Sequence, residues 1–231
     1  MGVFGVENIV RDSFKWDVSL YDPSEPDSVE LAFVNPTTGK EETILCIPPG
    51  AEGADPEKVT LSGCTDRNHA YHEGLYVAMC QYLLRETVSF QTGMEGYNPS
   101  FGDLIAVSYP LPKWGVSGYV TGRSGNTFYL SEEVAFESGV TSYILLRKND
   151  GTGDGPIPVT PVSGDSFAVV LNNAPVYLYD FDDAGKEPVL FAFGPGDEWS
   201  KLCKITEISP SGDETVDISC VVYDEGVFQY D

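Results

Sequence analysis

Two histidines, His69 and His72, fall with Glu73 at i, i+3 and i+4 of a stretch that reads as a helix, a spacing at which two of the three could share a face and hold a metal ion. The chain has only these two histidines. A hydrolytic centre needs a third ligand and an open position, and no motif supplies one, so a solvated helix face explains the trio better. Asp180-Phe-Asp182-Asp183-Ala-Gly185 imitates the start of a calcium loop, but it fails at the fifth ligand position and lacks the closing Glu, which makes it an acidic hairpin turn. Asn149-Asp150-Gly-Thr-Gly-Asp154 reads as flexible linker for similar reasons. Trp16, Trp114 and Trp199 could line a sugar-binding face, although aromatics in strands more often pack in cores and across strands.

Covalent catalysis has no signature here. The sequence holds no G-x-S-x-G elbow, no P-loop and no G-x-G-x-x-G between strand and helix, and no pair among its many carboxylates is singled out for glycoside hydrolysis. The expectation is a protein without catalytic residues, cofactor or metal. The five cysteines, Cys46, Cys64, Cys80, Cys203 and Cys220, are odd in number, widely spaced and without a C-x-x-C pair, so they read as small buried apolar residues.

The element that would carry His69 to Glu73 is a helix over about 65–86. Thr65 or Asp66 can accept from the free N–H groups of its first turn, and no proline interrupts it. Ala70, Gly74, Val77, Ala78 and Leu84, with Tyr71, Leu75, Met79 and Tyr82 beside them, give it a broad apolar face, while Arg67, Asn68, His72 and Glu73 lie on the other side. Beyond Arg85 the residues Thr87 to Thr92 alternate with period two, so the helix hands over to a half-exposed strand.

Everything else reads as short strands. Residues 29–34 and 42–47 form a hairpin around Asn35-Pro36-Thr37-Thr38-Gly39, and 59–61 delivers the chain to the helix. Strands follow at 103–109, 118–121, 127–130 and 143–147, a spacing that suggests a small closed or split barrel. Pro156, Pro158 and Pro161 with Gly151, Gly153 and Gly155 make 148–161 the best linker candidate. The last part adds strands at 167–171, 176–179, 189–193, 202–208 and 215–223, the last two joined by a turn at Ser209-Pro-Ser-Gly212. The end, 224–231, reads as the exit from one module towards another.

The fold class expected is therefore mainly β (α+β), with small barrel or split-barrel and sandwich-like modules and one long helix. Three regions are expected: a β-hairpin region over 1–62, a helix plus split barrel over 63–150, and a second small β domain over 151–231.

Composition bounds the function. The 231 residues are 42% hydrophobic and 12% aromatic, enough for a packed core. No run of about eighteen apolar residues could form a membrane-spanning helix, and Met1 to Val10 has neither the basic start nor the apolar run of a secretory signal. Thirty-six acidic against thirteen basic residues give a net charge of −23, a sign that repels phosphate and argues against ordinary nucleic-acid recognition. Solubility alone would explain it; so would a channel wall along which DNA must slide without sticking.

The order of short motifs carries a resemblance. Glu7-Asn-Ile-Val-Arg-Asp-Ser-Phe14 leads to Val29-Glu-Leu-Ala-Phe-Val-Asn-Pro36, then to Gly63-Cys-Thr-Asp-Arg67 with Ala70 and Gly74, to Val88-Ser-Phe90, Glu95-Gly96, Gly102-Asp-Leu-Ile105 and Pro112-Lys-Trp-Gly115, and to a closing hairpin from Ile205-Thr-Glu-Ile208 to Val222-Tyr-Asp224. Together they resemble the hub domains of the tail-tip attachment, or host-specificity, proteins of long-tailed bacteriophages. The resemblance implies a non-enzymatic virion component at the tail tip. It implies a homotrimer on the tail axis whose β domains continue the tail tube, with the distal tail, tape-measure and fibre proteins as partners and DNA as passing cargo. Members of that family are far longer, so this chain corresponds to a piece or to a short relative. No catalytic or ligand residue carries over, because the shared motif is architectural. The rival from another class is a carbohydrate-binding or glycan-degrading β domain, which requires a groove lined by at least two of the three tryptophans with acids at its floor.

Overall fold

The computed structural model describes the chain except residues 21, 23, 111–113, 176, 178, 180–187, 197–199, 213 and 230–231. In chain order the strands are β1 (Gly2–Phe4), β2 (Lys15–Val18), β3 (Ser28–Val34), β4 (Glu41–Cys46) and β5 (Pro56–Thr60), followed by helix α1 (Arg67–Leu83). After it come β6 (Glu86–Thr92), β7 (Leu104–Val107), β8 (Val116–Ser124), β9 (Thr127–Leu130), β10 (Ser142–Arg147), β11 (Gly153–Val162), β12 (Asp165–Leu171), β13 (Leu190–Pro195), β14 (Lys201–Ser211) and β15 (Thr215–Val222). Short 3₁₀ turns cover Met94–Tyr97 and Glu225–Phe228. The mainly β class with a single α-helix among the described residues is the one expected.

The chain divides into two compact units, Met1–Trp16 with Val88–Val222, and Asp17–Thr87 with Tyr223–Asp231. Both are discontinuous in sequence.

In the larger unit, β10-β11-β12-β9-β8-β13 close into an antiparallel barrel. Alternate residues of each strand point inward, and Phe128, Leu130, Ile144, Leu146, Ile157, Val159, Val169, Leu171, Phe191 and Phe193 fill the interior. A six-stranded barrel is narrow enough for side chains to occupy it completely. Residues 148–161, read from their Pro and Gly as a linker, are instead a turn followed by β11. Ile157 and Val159 supply the strand period and are buried. Register shifts opposite Ile144/Leu146 and at Pro161/Val162 accommodate residues that cannot donate to the ladder.

The same unit holds the sheet β1-β7-β14-β15-β6-β2, in which β1 runs parallel to β7. Its core gathers Phe4, Val88, Phe90, Ile105, Val107, Cys203, Ile205, Ile218 and Cys220. Val88, Phe90 and Thr92 are the buried alternates of β6, as the period-two reading required. Val3 and Ala106 from the sheet pack with Leu145 and Ala192 from the barrel. Small residues hold this contact close: a β-carbon on Gly5 would lie 2.9 Å from that of Ser117.

In the smaller unit β3 lies between β4, antiparallel, and β5, parallel. Helix α1 covers one face, where Val29, Leu31, Phe33 and Cys46 meet Ala70, Leu75, Ala78 and Met79. Asp66 is the N-cap, its Oδ1 accepting from the N–H of Asn68 at 2.7 Å and of His69 at 2.9 Å. The helix ends at Leu83, three residues before the expected 86, with Leu84 as its C-cap and β6 already beginning at Glu86. Its buried face is also narrower than expected: Tyr71 and Tyr82 are exposed. Residues 224–229, expected to run outward as an exit, turn back on α1. Asp224 accepts from the N–H of Gly226 at 2.8 Å, Val227 is buried, and the Phe228 ring stacks on Tyr76 at 5.4 Å.

Two predictions follow from the helix. A β-carbon at Gly74 would stand 2.5 Å from Cys46 Sγ, so Gly74→Val lowers stability by about 1–3 kcal/mol in a denaturant titration, and adding Cys46→Ala restores part of the loss. The N–H groups that Asp66 accepts from hold its carboxyl below the usual carboxylate value. A depressed folded pKa gives stability that is present above the unfolded pKa and lost as pH falls through the folded one. Between about pH 5 and pH 2 the wild-type melting temperature should therefore fall more steeply than that of Asp66→Asn, which keeps a cap without titrating.

Candidate functional site

His69 and Glu73 do come together on α1, Nε2 to Oε1 at 3.4 Å, one turn apart and both open to solvent. His72 is exposed beside Tyr71. No group of three or more His, Cys, Asp or Glu side chains converges among the described residues, so the trio forms a solvated face. The calcium-loop mimic at Asp180 to Asp183 lies outside the described residues, as does Trp199. Asp150 and Asp154, expected in a linker, have structural partners. Asp150 Oδ1 accepts from the Thr152 N–H at 2.9 Å and hydroxyl at 2.6 Å, which lowers its pKa. Asp154 is buried and accepts from the N–H of Tyr177 at 3.1 Å and the hydroxyl of Tyr179 at 3.3 Å. Burial, and after it the Asp154 charge, pushes the Tyr179 phenol well above its ordinary value.

The two described tryptophans do not make a platform. Trp16 and Trp114 meet edge to face at 5.5 Å and 72°, and Phe14 lies edge-on to Trp114 while stacking on Tyr109 at 4.0 Å. Trp114 is 6% exposed, so its ring faces core rather than a ligand. All five cysteines are free thiols, four of them buried, and burial pushes the Cys46 thiol up to about 11.

Carboxylates lining a cleft of about 680 Å³ in the smaller unit are partly committed as well. Glu25 pairs with Arg85 at 3.0 Å, and Asp27 accepts from the N–H groups of Ala54 and Asp55 at 2.9 and 3.0 Å, which depresses its pKa.

The feature that sequence reading missed is the loop from Gly93 to Gly102. Glu95 and Arg147 of β10 form an ion pair with side chains only 19% and 12% exposed, and the Thr92 hydroxyl donates to Glu95 at 3.1 Å. Gly96 is pressed against Thr92 and Val216, where a β-carbon would come within 2.7 Å of the first and 3.0 Å of the second. The Gly102 N–H donates to the Ile205 carbonyl at 2.9 Å, and the Ser100 N–H to Asp103 Oδ2 at 2.8 Å. So fastened, the loop exposes Met94 at 60%, Tyr97 at 49% and Phe101 at 77%. The signal was available: three large apolar residues between two glycines, with Glu95 the single charge. The arrangement offers no reacting group; it can supply a rigid contact surface.

No protein-family model matches the chain. The class of protein to which it is related is the phage tail protein, and the family is the one that the order of its motifs resembles. One relative is Tip attachment protein J of Escherichia phage SECphi27, 31% identical over 237 residues that take in 96% of this chain. The chain spans 19% of that protein's length. Among solved structures, a chain of the virion of a native gene transfer agent particle overlays 99% of this chain and 33% of its own length, with a TM-score of 0.47 and 9% identity. That likeness is too distant to carry an argument.

The ion pair generates a prediction. Arg147→Ala leaves the largely buried Glu95 carboxylate without this partner and lowers unfolding stability by about 1–3 kcal/mol. Arg147→Met with Glu95→Gln costs clearly less in the same titration, since no charge remains to be desolvated.

Proposed function

We propose that this chain is a structural module of the central hub at a phage tail tip. The observation that carries the reading is the 31% identity to a tip attachment protein over 96% of the chain. Three copies would stand around the tail axis, adjoining the distal tail, tape-measure and fibre proteins, and DNA would pass them as cargo.

The physical chemistry supports this reading in two ways. A hub module has to hold its shape under load, and a filled six-stranded barrel packed on a six-stranded sheet resists deformation because close-packed cores have few compressible voids. A net charge of −23 suits a conduit, since like charge keeps a passing polyanion from adhering. The role is structural rather than catalytic, and it is supported by the described candidates: His69, His72 and Glu73 are helix surface, Asp150 holds a turn and Trp114 packs in the core.

Antibodies raised against the chain, used with gold labelling on purified particles of its phage, should mark the end of the tail distal to the head, and cryo-electron microscopy should show three copies around the axis. Absence of the chain from purified particles by mass spectrometry, or label on the head or along the shaft, would sink the reading.

A further inference from the structure

We propose that a cleft of about 560 Å³ on the solvent face of the sheet β1-β7-β14-β15-β6-β2 binds a neutral saccharide. The assignment goes beyond the hub reading and does not depend on it.

The strand period builds the floor. Val88 and Phe90 of β6 and Val216, Ile218 and Cys220 of β15 are buried in one core, so Ser89 and Gln91, and likewise Asp217 and Ser219, face the other way. Ser209 of β14 is paired directly with Asp217, which puts both on that face. Arg11, Asp12 and Lys15 line the same cleft from the segment that leads into β2. This segment is fastened to β6. The Val10 N–H donates to the Gln91 carbonyl at 2.8 Å, the Gln91 N–H to Ser13 Oγ at 3.0 Å, and the Ser13 hydroxyl to the Val10 carbonyl at 2.6 Å. Walls fixed in advance reduce the ordering cost of binding, and the volume lies in the range of small-molecule sites.

The polar groups here are uncommitted. In other clefts the opposite charges pair with each other, as Glu25 does with Arg85 and Glu95 with Arg147. Here Arg11 and Lys15 share a cleft with Asp12 and Asp217, yet among the described residues none of these side chains has an ion-pair or hydrogen-bond partner. The same holds for the hydroxyls of Ser89, Ser209 and Ser219.

Complementarity selects the occupant. The two bases only donate, the two carboxylates only accept, and the serine hydroxyls do both. Their formal charges cancel, in a chain whose net charge is −23. An oxyanion is attracted by the bases and repelled by the acids, and a cation the reverse. An apolar molecule strips water from all of these groups and replaces none of the lost hydrogen bonds. An extended peptide adds to a strand edge, whereas this is a sheet face. A saccharide carries hydroxyls that donate and accept at neighbouring positions, so it alone among these classes meets every group without an opposed charge. The one aromatic residue of the lining, Phe90, is 2% exposed and offers no ring face for stacking. Recognition therefore rests on hydrogen bonds, each modest in net effect, and the dissociation constant expected is about 1 mM.

The test is amide NMR of the full chain titrated with maltotriose, cellotriose, mannotriose and triacetylchitotriose, each to about 20 mM, well above that constant. At least one should shift the amides of Ser89, Gln91, Asp217 and Ser219 saturably. Its affinity should be the same in about 0.05 M and about 0.5 M sodium chloride, since a neutral ligand has no charge to screen. Asp217→Ala, and separately Ser89→Ala with Ser219→Ala, should weaken the same sugar about fivefold with unchanged melting temperature. Ser166→Ala, at an exposed serine of β12, should bind like wild type. The proposal is overturned if no sugar of the panel shifts these amides, if the shifts fall on other residues, or if inorganic phosphate moves them more than every sugar, which makes the cleft an oxyanion site. None of these results bears on the labelling of particles, and failure of that labelling leaves the titration standing.

Discussion

The pairing of β13 with both β8 and β10 is the constraint on which the larger unit depends. Leu190 to Phe193 register with Tyr119 to Val116 on one side, and Phe191 to Pro195 with Leu146 to Ser142 on the other. Without that strand the other five would form an open sheet with two edges, and Phe191 and Phe193 would be missing from the interior. Closure removes both edges at once, which an exposed β protein otherwise has to guard with charge or proline. It also presents Leu145 and Ala192 to Val3 and Ala106, so the sheet packs on a wall that closure creates. These contacts are long in sequence, and loop closure must precede the burial that rewards it.

What could be read from the sequence divides along the same line. Helix α1, the β3–β4 hairpin, the alternation of β6 and the β14–β15 hairpin were legible because each is specified locally, by an N-cap, a period or a turn. The strand β11 was not, since proline and glycine are ordinarily breakers. What keeps it in the barrel is the pairing of its neighbours and two register shifts, which leave no mark in its own composition. Strand β1 is three residues that find a parallel partner about a hundred positions away at Ile105 to Val107. The compact units were hidden for a similar reason. Each is built from segments far apart in sequence, and the chain passes from one to the other within or beside elements rather than through a polar linker.

Among the described residues, His69, His72 and Glu73 lie on an open helix face and Trp114 packs in the core. The exposed side of the Gly93 to Gly102 loop was hidden, because Met94, Tyr97 and Phe101 look like core residues to any reading based on hydrophobicity. Only the inward turn of Glu95 and Gly96, which uses the buried side of the loop, shows that these three must face out.

The few cations reveal how so acidic a chain holds together. With thirteen lysines and arginines against thirty-six acids, a positive side chain placed well inside is unavailable to soften the surface. Arg147 is largely buried against Glu95, and Arg85 is 21% exposed against Glu25. A buried arginine needs a carboxylate beside it to offset desolvation, and its fork can hold that carboxylate while meeting other acceptors. Each such pair withdraws one acid and one base together and leaves the net charge to the outside. Within Gly93 to Gly102 the one acid, Glu95, is turned inward in this way. One ion pair thereby has two effects: it fixes the loop and turns the loop's own acid inward.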